Sequence, residues 1–184
     1  MKRFTVGVFA VVFAASLGCV GGAQQIETTP IPMLPKPDLS SMQFLVGSWN
    51  CTSKSARRPS PSTSTGTYAM DPSGYWLVLT WKAPGISWYP HPSAGTDHIS
   101  YDASTKRWID TETDNNGGYD LSASDGWHGN VMVWHDITYP KGADLASNGD
   151  STETKVSDTK VTTVSSFKTT KGRVVGVTTT CTKS

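Results

Sequence analysis

Four histidines, an alternating run of acids and two late cysteines are the residues of this chain whose types and spacing bear on catalysis or metal binding. His91, His98, His128 and His135 are metal-ligand types, yet the chain has no His-x-His, Cys-x-x-Cys or His-Glu-x-x-His pairing to bring two ligands together locally, so no metal site is expected. His98 and His135 each fall within a strand, where either could serve as general base in an envelope hydrolase or isomerase. Asp110, Glu112 and Asp114 share one face of a strand, and two of them turned inward would do acid–base work if burial separated their pKa values. The simpler reading turns Ile109 inward and leaves the acids in water. No Gly-x-Ser-x-Gly elbow, Gly-x-Gly-x-x-Gly turn or Lys-bearing P-loop is present, so no catalytic residue is assigned and no cofactor is expected.

Aromatic side chains make binding the stronger expectation. Seven tryptophans are many for 184 residues, and they would either line a calyx or fill a core. Candidate ligand contacts are Trp49, Trp76, Trp81, Trp88, Tyr89, His91, His98, Tyr101, Trp134 and His135, and the expected partner is a small apolar or aromatic molecule held without catalysis. Alternation places Trp76 with Val78 and Thr80 on one strand face and Leu77, Leu79 and Trp81 on the other, so one of the two rings faces out. Lys82 to Thr96 reads as a long Pro-stiffened connection carrying Trp88, Tyr89 and His91, suited to a lid over a barrel mouth. A third class of function has exposed tryptophans meeting a protein or glycan.

The elements that must position these residues are strands. Turn signals recur at 71–74, 101–105, 114–118, 124–126, 147–150 and 169–172, separated by short runs rich in Val, Thr, Ile, Tyr and Trp. Strands are expected near 44–54, 64–70, 74–82, 96–101, 106–113, 118–124, 129–137, 151–156, 159–168 and 172–182, with 151–156 the weakest because its residues suit a loop equally well. The fold class is all-β: an antiparallel up-and-down barrel of about 8–10 strands, or a sandwich of the same strands. Leu39, Met42 and Leu45 recur at i, i+3 and i+6 behind Asp38 or Ser40 as cap, giving a short N-terminal helix that plugs one end. In such a barrel the first and last strands are neighbours, and Cys51 and Cys181 lie on them, so a disulfide would staple the seam; the alternative is two unpaired thiols.

The chain opens with Lys2 and Arg3, an apolar run from Phe4 to about Leu17 and small residues to Ala23, the pattern of a signal peptide over 1–23. Export follows, to the periplasm or the extracellular space, with lipidation at Cys19 and an outer-membrane lipoprotein as the alternative. No later run is apolar enough to span a membrane as a helix. Four prolines make 24–40 an extended tether, leaving 41–184 as the barrel domain. Loss of the leader removes two of 16 basic and none of 15 acidic residues, moving the net charge from +1 to −1 and leaving no basic footprint for nucleic acid.

"FLVGSWNC" opening the first strand, "YDASTKRW" across a hairpin and "DGWHGNVMVWH" later resemble the lipocalin-like bacterial domains of unknown function in the calycin group, with nitrobindin a more distant relative. The resemblance spans most of 40–184. It implies that Trp49 seals the closed end of the barrel under a basic side chain from a late strand, Arg173 or Lys183. Pairing of Cys51 with Cys181 would set Trp49 opposite Lys183 and favour the latter. Nitrobindin-like barrels hold haem through a late histidine, whereas the last histidine here is His135, so haem is not expected.

Overall fold

The computed structural model describes residues 33–58, 60–87, 89–138 and 145–184. The expected leader, most of the tether and Trp88 therefore lie outside the described residues. The chain divides into two units, Met1–Leu34 and Pro35–Ser184, and the second carries the barrel.

A 3-10 helix, η1 (Ser40–Leu45), precedes eleven strands: β1 (Gly47–Ser55), β2 (Ser62–Met70), β3 (Leu77–Ala83), β4 (Ser93–Asp102), β5 (Arg107–Asp114), β6 (Tyr119–Ser124), β7 (Trp127–His128), β8 (Val131–Thr138), β9 (Leu145–Ser157), β10 (Lys160–Thr169) and β11 (Val174–Lys183). All pairings are antiparallel between sequence neighbours, β1 pairs β11, and β6 pairs β8. The sheet thus closes as a ten-stranded up-and-down barrel, with the two-residue β7 attached to β8 alone. Among the described residues closure leaves an unpaired edge at the two-residue β7, too short to template another chain.

Two expectations about elements are corrected. The segment read as the weakest strand is the longest, thirteen residues in β9, because its inward positions are polar and break the apolar alternation that marks a strand. The connection read as Lys82 to Thr96 is only 84–92, since β3 runs through Ala83 and β4 starts at Ser93. Ile86 and Tyr89 exchange backbone hydrogen bonds of 2.8 and 2.9 Å within it.

The core sits at one end of the barrel. Leu39, Met42 and Leu45 of the helical segment are buried with Trp49, Leu77, Ile99, Trp108, Met132, Trp134 and Val161. Leu39 takes the N-cap position without a side-chain hydrogen bond, so neither Asp38 nor Ser40 caps η1; Asp38 Oδ1 instead accepts the Ser40 N–H at 2.9 Å in a local turn. The last carbonyls of η1 would be orphaned in this apolar setting, and two side chains of the barrel take them: Trp49 Nε1 donates to Leu45 O at 2.6 Å and Lys183 Nζ to Phe44 O at 2.8 Å. The plug is thereby locked to β1 and β11. Trp49 does lie opposite Lys183, whose ammonium stands 5.4 Å from the indole centroid.

Gly47 explains the glycine of the Gly-x-Trp motif. Its φ is +127°, and a Cβ there would come 3.0 Å from Lys183 Cε, so only glycine lets the lysine stem pass to Phe44. Replacing Lys183 with Met should keep the stem and lose the charge-assisted bond, costing about 1–2 kcal/mol. A urea midpoint unchanged by Lys183→Met would mean that the plug is held by apolar packing alone.

Candidate functional site

Register fixes which side chains enter the lumen. One inward row runs Lys183, Trp49, Gly66, Trp81, Gly95 and Asp114 across β11, β1, β2, β3, β4 and β5. Trp81 is flanked by two glycines for a steric reason: a Cβ on Gly95 would lie 2.6 Å from the Trp81 ring. The indole lies across that gap and donates from Nε1 to Asp97 Oδ1 at 3.0 Å. The next row toward the closed end carries Tyr68, Leu79, Asp97, Glu112 and Asp120, and the one beyond it Leu77, Ile99, Asp110, Ser122 and Asp136.

The acids of β5 therefore face in, contrary to the simpler reading. Trp108 shares their parity and is buried, and its large ring, rather than Ile109, decides which face of β5 turns to the core. From the far wall, Glu153 of β9 joins them, receiving Trp134 Nε1 at 3.4 Å.

Within the barrel lies a cavity of about 160 Å³ walled by Trp49, Tyr68, Leu79, Trp81, Glu153, Thr163 and the Cys51–Cys181 bridge, and of the inward acids Glu153 is the one that lines it. The disulfide thus has two positions at once, on the β1–β11 seam and in the cavity wall. Well-packed interiors hold few voids larger than a water molecule, so a space of this size is a built feature. It matches about one aromatic ring.

The electrostatics of the lumen follow from burial first and from carboxyl crowding second. Burial, then the neighbouring Asp110 and Glu112, push Asp97 up to about 9. Burial with Glu112 and Asp120 beside it raises Asp110 to about 8. Glu112 rises to about 7 through burial and Asp120, and Asp120 to about 6 through burial and Asp136. Burial lifts Glu153 to about 7 against the opposing Trp134 hydrogen bond. Tyr68 is held well above its ordinary value by burial and then by Glu153, so it stays a neutral hydroxyl. Among the described residues no salt bridge joins Asp97, Asp110, Glu112, Asp120 or Glu153 to a base, and the buried Oδ1 atoms of Asp110 and Asp120 accept no hydrogen bond.

Of the residues singled out in the sequence, Trp49, Trp81, Trp134 and Tyr101 face inward. Tyr101 packs edge-on against Trp108 at 5.6 Å near the closed end. Trp76, Tyr89, His91, His98 and His135 are not brought to the lumen, and Trp88 lies outside the described residues. His98 sits on the outer wall with the half-exposed Trp76 ring edge-on at 6.2 Å. His135 is also outside, with Nδ1 2.9 Å from Asp150 Oδ1. Tyr89 and His91 pack together in the exposed 84–92 connection, which lies at the barrel end opposite η1. Neither strand histidine can therefore act as a base on a molecule in the lumen. Sequence reasoning missed Tyr68, Asp97, Asp120 and Glu153, although Asp97 shares parity with the buried Ile99 and was legible on that ground.

Fold and site together define a closed antiparallel barrel with an aromatic, acid-lined lumen. No protein-family model matches the chain, and no curated protein matches it. Among solved structures, the chain is 16% identical to one described as EF1p2_mFAP2b bound to DFHBI, over 78% of this chain and 96% of that one, with a TM-score of 0.38. It is 9% identical to the S-type phycobiliprotein lyase CPES from Guillardia theta, over 79% and 91% of the two chains, with a TM-score of 0.42. At these TM-scores neither likeness bears on what this chain binds.

Proposed function

We propose that this chain is an exported, lipocalin-like barrel that binds a small aromatic molecule in its lumen without catalysis, plugged by η1 and gated by the 84–92 connection. The carrying observation is the cavity of about 160 Å³ bounded by the rings of Trp49, Tyr68 and Trp81. Rings of this kind supply large contact area at low entropic cost, and a concave, mainly apolar space with a few polar groups is the usual form of a small-molecule site. The Cys51–Cys181 bridge supports export, since disulfides persist in oxidising compartments. Among the described residues no helix is long and apolar enough to cross a membrane.

The test is calorimetric titration of the purified protein with 2-phenylethanol, a probe of one ring and a two-carbon arm, alongside comparison of native and denatured masses of protein taken from its own cells. Saturable binding, lost in the cavity-filling Thr163→Phe variant with the melting temperature within a few degrees of wild type, is the expected result. Binding that survives Thr163→Phe but falls in Tyr89→Ala would move recognition to the outer wall and overturn the reading.

A further inference from the structure

We infer that the lumen selects a cation, namely a protonated amine carried on a short arm from one aromatic ring; this rests on the small-molecule reading above. Three observations lead there. The lumen gathers Asp97, Asp110, Glu112, Asp120 and Glu153 from four strands, among the described residues no salt bridge joins them to a base, and Oδ1 of Asp110 is buried with no hydrogen-bond partner there. Among the described residues indole N–H groups reach two of these carboxyls, Trp81 to Asp97 and Trp134 to Glu153. A buried carboxylate left unpaired is costly, and an ammonium group brings three donors together with the opposite charge.

The lysines nearest in the fold do not supply that charge, for both are held at the closed end. Lys183 donates to Phe44 O, and Lys155 lies 2.8 Å from Asp158 and 4.1 Å from the Phe44 ring centroid.

The second observation is the wall. Glu153 lines the cavity beside the rings of Trp49, Tyr68 and Trp81, so a charged head set at Glu153 would have aromatic faces around it. The third is spacing. The carboxyls stand on different strands or two residues apart, and among the described residues no group of three His, Cys, Asp or Glu could hold a metal ion. An organic cation reaches such separated carboxyls with its own body, each N–H donor bonding one oxygen. The cavity of about 160 Å³ limits that body to one ring and a two- or three-atom arm.

The experiment uses the full mature chain at pH 8 and two probes of nearly equal shape, phenethylamine and 2-phenylethanol, measured by calorimetry and by quenching of tryptophan fluorescence. The amine is expected to bind at least tenfold more tightly than the alcohol. Glu153→Gln should erase most of that ratio, and Asp110→Asn, a second isosteric variant, should reduce it in the same direction. An amine that binds no more tightly than the alcohol overturns the inference. Alcohol binding that disappears in Thr163→Phe would then leave the binding reading standing. If neither probe binds, both fall.

Discussion

Replacing Cys51 and Cys181 together with alanine should lower the stability of the barrel by about 4–5 kcal/mol, equivalent to roughly 10–15 °C in Tm for a chain this long. The bridge closes a segment of 130 residues, so in the unfolded chain it removes the freedom of nearly the whole barrel domain. In the folded barrel it constrains little that is not already constrained. Cys51 and Cys181 stand opposite each other in a continuous β1–β11 ladder that runs from the Trp49–Lys183 pair to the Ser55–Val177 pair. The seam should therefore survive without the bond, and the effect should act on the unfolded side of the equilibrium. The check is guanidinium unfolding of the oxidised protein, the dithiothreitol-reduced protein and the double variant, with far-UV circular dichroism on each. The two bond-free forms should agree and should keep native strand content before the transition. A loss below about 1 kcal/mol would contradict the chain-entropy account of this bridge.

The same pair illustrates what could be read from the sequence and why. The bridge was legible from topology, because an antiparallel meander that closes must bring its ends together, and Cys51 and Cys181 sat on those ends. The plug was legible from Leu39, Met42 and Leu45, whose spacing is a property of one short segment. What escaped was the parity of the strands. Alternation assigns residues to two faces without saying which is inside, and the usual guide, apolar inward and polar outward, fails when the inside is itself a polar site. In β5 the guide pitted Ile109 against Asp110 and Glu112, and the answer lay one residue back in Trp108. In β9 it obscured the strand altogether, since Glu153 and Lys155 alternate with threonines and no apolar residue marks the inner face. The histidines misled for the same reason, because His98 and His135 share a strand with lumen residues and point the other way. Glu153, the acid that lines the cavity, carried no signal of its own in the sequence.

A polar lumen of this kind has a consequence for stability that no apolar core would show. The protein should be most stable in mild acid and should lose about 3–5 kcal/mol between pH 5 and pH 9, with a fall in Tm of roughly 6–15 °C. In an unfolded chain the carboxyls titrate near pH 4, whereas in the barrel burial and mutual repulsion raise Asp97 to about 9, Asp110 to about 8 and both Glu112 and Glu153 to about 7. Groups raised in this way stabilise the fold fully below their unfolded values, and that stability is lost as pH climbs through the folded ones. A single carboxyl raised as far as Glu153 contributes about 3 kcal/mol, and the crowded members do not add independently because each proton gained relieves its neighbours. Titratable groups face the cluster from every side: Tyr68 on β2, Asp97 on β4, Asp110, Glu112 and Asp114 on β5, Asp120 on β6, Asp136 on β8 and Glu153 on β9. Among the described residues no salt bridge joins a base to Asp97, Asp110, Glu112, Asp120 or Glu153 to offset the charge that appears on deprotonation. Asp110→Asn imitates the protonated acid permanently. It should match the wild type near pH 5 and exceed it by about 1–2 kcal/mol at pH 9, flattening the profile. Thermal melts at half-unit intervals across this range provide the measurement. A wild-type profile that is flat, or that rises toward pH 9, would mean that the carboxyls are solvated well enough to titrate as free acids. Saturating phenethylamine should flatten the wild-type profile as Asp110→Asn does, because an ammonium in the lumen favours the ionised carboxyls that alkaline pH otherwise leaves unpaired.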